Sequence, residues 1–271
     1  MRAGQDHQAR EHYGDRIFHG GTAGELARLE ALAAAFDPAS RRWLAALGVG
    51  HGWRCLDVGA GPGSLTRWLA GQVGEDGEVV AVDRDTRFLE RISHPRLRVV
   101  QADLTVEDPP LPGGYDLVHA RFVLMHLRER EELLDRLVSY LRPGGFLLVS
   151  DAADLASQSS PDHAFRRTMT GMWQALAATI GTDGQWGRQY PAALARRGLR
   201  VLGMAAELPV VSAASPLGVF WGLTFRECRA AISAHTDVRD ETVDRALEYL
   251  GEPDTRDLSM AMIGGWGRRP G

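Results

Sequence analysis

Three acids and a histidine close apolar runs in the first half of the chain: Asp57 in RCLDV, Asp83 in GEVVAVD, Asp103 in LRVVQAD and His126 in FVLMHL. An acid at the end of a strand either caps the next helix or accepts hydrogen bonds from a ligand lying across the strand ends. Imidazole titrates near neutral pH, so His126 has the chemistry to take a proton from a phenol under attack. Asp57 leads directly into the glycine cluster GAGPGS (59–64), and a run with Leu65, Trp68 and Leu69 on one face follows. That succession predicts a strand, a tight turn and a helix N-terminus, which together present backbone N–H groups to a ligand.

The identity of that ligand is constrained by what is missing. All 31 basic residues are arginine. Without lysine there is no imine chemistry and no P-loop lysine, since arginine neither forms an imine nor deprotonates usefully. A dinucleotide fits poorly, because position 64, where its fingerprint wants a third glycine, is Ser64. Asp57 would repel a pyrophosphate, whereas a ligand carrying an amino group suits it. No His-x₃-His or cysteine cluster offers metal-ligand spacing, so no metal is expected.

These residues need a sheet to hold them. Leu26, Leu29, Leu32 and Phe36 recur at helical spacing, and Asp37-Pro38 reads as an N-cap and first turn opening a second helix towards Gly48. After the strand, turn and helix already described come a strand at 77–83, a helix around Thr86 to Ile92 and a strand at 97–103. A strand at 115–120, a helix around Arg130 to Leu141, the turn RPGG (142–145) and a strand at 146–151 follow. Apolar strands alternating with helices indicate a parallel sheet covered on both faces. Further on, helices are predicted at Ala164 to Ile180, Pro191 to Arg197, Val219 to Ser233 and Glu241 to Leu250. Strands are predicted at 199–211 and 260–267.

The 271 residues, 44% hydrophobic and 24% charged, suffice for one large domain with a cap. A formal net charge of −4 and the lack of a long basic run give no attraction for nucleic acid or anionic lipid. No charged leader precedes an apolar segment and no apolar run approaches ~18 residues, so neither secretion nor membrane spanning is expected. Cys55 and Cys228 read as reduced thiols, which with the foregoing implies a cytoplasmic chain.

GAGPG after a strand with Asp57, then AVDRD, QAD, YDLVHARFVLMHL and LRPGGFLLVSD, stand in the order and spacing of class I S-adenosylmethionine-dependent methyltransferases. The chain resembles their small-molecule branch, which acts on quinones and natural products, strongly over 40–151 and in general layout over 190–270. The resemblance implies a Rossmann-like, seven-stranded, mostly parallel α/β sheet with helices on both faces. It implies a lid segment at 1–40, a cofactor-binding core at 41–151, a helical cap at 152–198, and at 199–271 the last strands with a helical insertion. S-adenosylmethionine is the implied cofactor, with Gly59, Ala60 and Gly61 against its methionine part and Asp57 near its amino group. Asp83 would accept from both ribose hydroxyls, Arg84 would flank the adenine, Asp103 would accept from the adenine amino group, and Leu104 would give a backbone contact. Ala120 and Arg121 would line the meeting point of sulfonium and acceptor. Tyr13 and GGTAGEL would close over the cofactor. His126 lies where plant-type small-molecule O-methyltransferases carry their general-base histidine.

The implied reaction moves a methyl group to O, N or C of a small-molecule acceptor, with S-adenosylhomocysteine as product. The arginine-only, Ala/Gly-rich usage suggests a bacterial source with a GC-rich genome, and the resemblance implies natural-product biosynthesis. His163, Trp173, Tyr190 and His235 lie in cap-like segments where they would either shape the acceptor pocket or serve the packing. EDPPL (107–111) resembles the acid-Pro-Pro-aromatic motif of amino-group methyltransferases, but it precedes the fourth strand and carries Leu111 in place of the aromatic. It is therefore expected to be a loop. Two readings stay beside methyl transfer: a cyclase that uses the sulfonium only as a charge, and a macromolecule methyltransferase, disfavoured by the lack of a basic face. A homo-oligomer is compatible with all of them.

Overall fold

The computed structural model describes residues 17–18, 22–106 and 109–271. One seven-stranded sheet organises them, built from β1 (Arg54–Val58), β2 (Glu78–Asp83), β3 (Leu97–Gln101), β4 (Tyr115–Arg121), β5 (Leu141–Asp154), β6 (Arg200–Glu207) and β7 (Met260–Arg268). Their spatial order is β3-β2-β1-β4-β5-β7-β6. The first five strands pair in parallel, and β7 runs antiparallel between β5 and β6. Strand order reverses at β1 and β4, so the crevice for a ligand opens at their carboxyl ends.

Apolar residues on both faces of the central strands explain the helical layers. Cys55, Val79, Leu117 and Leu148 pack with Leu65 and Leu69 of α2 (Ser64–Gln72) and with Leu44 of α1 (Thr22–Ala46). Leu56, Val80, Val118 and Leu147 belong to the opposite cluster, with Leu133, Leu134 and Leu137 of α3 (Arg130–Ser139). Beyond β5 come α4 (His163–Thr179), α5 (Tyr190–Arg196), α6 (Pro216–His235) and α7 (Asp240–Gly251). Helices α4, α6 and α7 pack on one another, and α1 packs against α6 to complete the cap. Cys55 and Cys228 are free thiols, both buried. Among the described residues no helix is long and apolar enough to cross a membrane.

Four local expectations need correction. The chain does not stop and restart at Asp37-Pro38; α1 runs through Pro38 unbroken. Asp37 does not cap, because its carboxylate accepts from Ser64, Arg41 and Arg121 instead. The helix expected at Thr86 to Ile92 shrinks to a single 3₁₀ turn at Leu89–Arg91. There the Asp83 and Asp85 carboxylates take the backbone N–H groups of Asp85 and Arg87, local bonds that compete with a helical start. RPGG is no free turn but the irregular opening of β5, where Gly144 adopts φ +77°. The end of the chain supplies its partners: Gly144 N–H donates to the Arg269 carbonyl and Arg269 N–H to the Gly145 carbonyl. Finally, the strand expected to run to residue 211 ends at Glu207.

Candidate functional site

A cavity of about 640 Å³ extends from the carboxyl ends of β1, β2 and β4 to the inner faces of α1, α4 and α6. Its floor is the glycine turn. Gly59, Gly61 and Gly63 all have positive φ, which an L side chain adopts only at a cost. Their reasons differ. A Cβ on Gly59 would stand 2.2 Å from Val123 Cγ2, so protein packing excludes a side chain there. Above Gly61 nothing lies within 4 Å, so that position is the open cradle. The Gly63 constraint comes from Ile92 and Leu89, and Gly63 forms the N-cap of α2.

At one end of the cavity Asp83 accepts from the Gly61 N–H (2.8 Å) through Oδ2 and from the Asp85 N–H (3.0 Å) through Oδ1. Burial raises its pKa above the usual carboxylate value, and the two backbone bonds partly offset this. Arg84, Asp103 and Leu104 line the same end. Asp103 Oδ1 accepts from the Thr105 N–H (2.9 Å) and hydroxyl (2.6 Å), and Leu104 offers its carbonyl to Arg136 (2.7 Å).

At the middle, strand register decides the chemistry. Asp57 of β1 and His119 of β4 are direct cross-strand partners. His119 Nδ1 stands 2.8 Å from Asp57 Oδ1, while Asp57 Oδ2 accepts from the Thr66 hydroxyl at 2.6 Å. All three are buried, and Asp57 and His119 both line the cavity. Two residues on, Arg121 donates to Asp37 (2.8 Å) and Ser40 (3.0 Å) of α1. Burial lowers the Arg121 pKa and the Asp37 carboxylate opposes that, leaving it the cation that arginine remains in proteins. The Ala120 side chain belongs to the core cluster on the other face of the sheet, so its methyl does not line the cavity as His119 and Arg121 do.

The far end is apolar and aromatic. Phe122 holds φ +56°, uncommon for a bulky residue. It is fixed by an N–H bond to the Ser150 carbonyl and an edge contact with Phe36. His126 Nδ1 lies 3.0 Å from Thr182 Oγ1. Burial, then the positive charges of Arg28 and Arg130, push the His126 pKa down to about 3. Behind the wall, Asp151 accepts from the Met125 N–H (3.1 Å) and from Tyr190 Oη, and burial pushes its pKa up to about 7. Glu25 and Arg28 of α1 form a buried bidentate pair at 3.1 and 2.8 Å, with the guanidinium 4.0 Å from the Phe18 ring centre.

The cavity thus brings together Asp57, Gly59, Ala60, Gly61, Asp83, Arg84, Asp103, Leu104, Arg121 and His126. Tyr13 lies outside the described residues, as do Glu107 and Asp108 of EDPPL; Pro109 to Leu111 form no strand. Of the four cap residues singled out, His163, Trp173, Tyr190 and His235, Trp173 lines the cavity; Tyr190 is buried behind it, and His163 and His235 stand at helix ends. His119, the Glu25–Arg28 pair, Phe122 and Thr224 had no signal of their own in the sequence. Among the described residues no group of His, Cys, Asp and Glu is arranged to hold a metal.

Residues 56–147 match the model of a family described as a methyltransferase domain. Trans-aconitate 2-methyltransferase of Methylobacterium radiotolerans is 35% identical over 143 residues, 51% of this chain and 53% of that protein. Ubiquinone/menaquinone biosynthesis C-methyltransferase UbiE of Stutzerimonas stutzeri is 36% identical over 121 residues, 41% of this chain and 46% of its own. The chain therefore spans about half the length of the curated relatives it matches. The cyclopropane synthase MmaA2 of Mycobacterium tuberculosis has the same fold, with a TM-score of 0.61 at 16% identity over 97% of this chain and 100% of that one.

Proposed function

We propose that this chain, whose residues 56–147 match a methyltransferase domain, is a class I S-adenosylmethionine-dependent methyltransferase that transfers a methyl group to O, N or C of a small-molecule acceptor. The observation that carries the reading is the single cavity with two unlike ends. One end joins backbone N–H groups and carboxylates around the open Gly61 cradle; the other is closed by aromatic rings. S-adenosylmethionine would supply an activated methyl on a sulfonium, so the chain itself has only to hold, align and exclude water.

Asp83 would take the ribose hydroxyls, Asp103 and the Leu104 backbone the adenine edge, and Arg84 the ring face. Gly59, Ala60 and Gly61 would carry the methionine part beside Asp57. Arg121 and the backbone of Ala120 would border the reacting centre. Alignment of two bound reactants is worth roughly 7–11 kcal/mol of barrier in favourable cases. His126 borders the acceptor end as a neutral imidazole. A pKa near 3 suits a hydrogen-bond acceptor that orients an acceptor hydroxyl better than a base that stores its proton.

Residues 41–151 would then be the cofactor core, 152–198 the cap, and 199–271 the remaining strands with their helical insertion. Residues 1–40, with Tyr13, would be the lid segment. Protein, homogeneous and supplied with methyl-labelled S-adenosylmethionine, should release one S-adenosylhomocysteine per product, with the product heavier by one methyl. Product formed without consumption of S-adenosylmethionine would replace this reading by the cyclase alternative.

A further inference from the structure

Among the described residues the acceptor end of the cavity offers a limited set of polar groups. Trp173 and Trp221 both line it, yet their indole N–H groups are already given to Asp154 (3.0 Å) and Ser259 (2.8 Å). What these rings can give a ligand is apolar surface. Phe220, Met172 and Leu176 add more of the same. Glu25 and Arg28 neutralise each other in their bidentate pair, so a charged ligand group meets repulsion from one as soon as it approaches the other. Transfer of an ionised carboxylate from water into such surroundings is costly unless a dedicated partner receives it.

Two described residues are exceptions: His126, whose Nδ1 already lies 3.0 Å from Thr182 Oγ1, and Thr224. Thr224 lies in the middle of α6, is 2% exposed, lines the cavity, and its Oγ1 has no hydrogen-bond partner. A threonine inside a helix usually returns its hydroxyl to the carbonyl one turn earlier; Thr168, Thr170 and Thr179 of α4 illustrate that such groups here do find carbonyl partners. A buried hydroxyl without a partner is unfavourable, and a ligand with one complementary group would relieve it.

We propose that the acceptor is an uncharged molecule with an apolar, ring-sized body and one hydroxyl or carbonyl, which bonds to Thr224 Oγ1, and that carboxylates are excluded. This deepens the methyl-transfer reading, on which it rests for taking the far end as the acceptor end.

The test is equilibrium dialysis near neutral pH with three probes of one shape: 4-tert-butylphenol, tert-butylbenzene and 4-tert-butylbenzoate, each with protein saturated with S-adenosylhomocysteine. The phenol should bind about 3- to 10-fold more tightly than the hydrocarbon, the factor expected of one hydrogen bond. The benzoate should bind weakest. In Thr224→Val the advantage of the phenol should vanish, and Thr224→Ser should keep it. Removing an unpartnered hydroxyl threatens the fold little, and melting curves of both variants check that. Preferred binding of the benzoate, an undiminished phenol advantage in Thr224→Val, or no binding of any probe would overturn the proposal. Calorimetry with S-adenosylhomocysteine alone separates the two readings. Probe binding as expected without S-adenosylhomocysteine binding would leave the apolar site and remove the methyl-transfer reading.

Discussion

His119 and Asp57 face each other across two parallel strands, Nδ1 to Oδ1 at 2.8 Å, beneath the glycine turn. Asp57, proposed to lie beside the methionine part of the cofactor, is therefore itself held from below, by His119 and by the Thr66 hydroxyl. Replacing His119 by leucine removes a buried partner and leaves the Asp57 oxygen unpaired, at about 2–3 kcal/mol of stability. Urea denaturation should show the midpoint falling accordingly. An unchanged midpoint would mean that the pair contributes nothing to the fold.

Gly59 and Gly61 separate packing from binding. Gly59→Ala places a Cβ 2.2 Å from Val123 in a left-handed backbone, so it should lower thermal stability markedly. Gly61→Ala meets open space and should cost only about 1–2 kcal/mol of backbone strain. Its Cβ would occupy the cradle, however, so its S-adenosylhomocysteine affinity should fall far more than its melting temperature. Melting curves and calorimetry on both variants check the contrast.

Asp83→Ala should weaken S-adenosylhomocysteine binding at least ~10-fold, since it removes the charged acceptor proposed for the ribose hydroxyls. It also deprives the Gly61 N–H of its 2.8 Å partner, which loosens the turn. Equal calorimetric affinity in the variant would remove Asp83 from the site.

Two titratable groups, Asp151 behind the cavity and His126 in its lining, give opposite dependences of stability on pH. Asp151 has a folded pKa of about 7 against an ordinary 3.8, so between these values the folded state holds the extra proton. Its contribution is full below pH 3.8 and is lost as pH rises through 7. His126 has a folded pKa of about 3 against 6.5, so there the unfolded state holds the extra proton, and stability rises with pH across that window. Each proton accounts for about 1.4 kcal/mol per pH unit, and the two slopes oppose each other over most of the range. Asp151→Asn should therefore remove the falling component and leave stability rising more steeply between pH 4 and about 6.5. Denaturation midpoints at several pH values measure it.

His126→Gln keeps a neutral hydrogen-bonding group and should retain turnover within about 10-fold, with no acid limb of the rate profile near 6.5 disappearing. A loss of ~10³-fold or more, together with loss of such a limb, would instead assign His126 as the general base.

The strand–turn–helix from Arg54 to Gln72 and the acids ending β1 and β2 were legible because each carries a local pattern and several such patterns stand in register. Arg121 was legible for the same reason. Its partner was not: Asp37-Pro38 carries the composition of a helix start, and only tertiary bonds to Ser64 and Arg121 draw the carboxylate away from capping. His119 was hidden inside an apolar strand, since its role arises from a pairing between residues 62 positions apart. Glu25 and Arg28 stand at i, i+3 spacing on α1, and nothing local to them says that α6 will pack against that helix. Thr224 reads as one small residue in an apolar helix until the cavity gives it a neighbour.

Helix α1 touches the cavity at two stations: Arg28 lines it, and Asp37, nine residues later, grips Arg121 at the strand ends. At 1.5 Å per residue these stations lie about 13 Å apart along one beam. The same helix thus borders the cavity at Arg28 and, through Asp37, holds Arg121 at the strand ends.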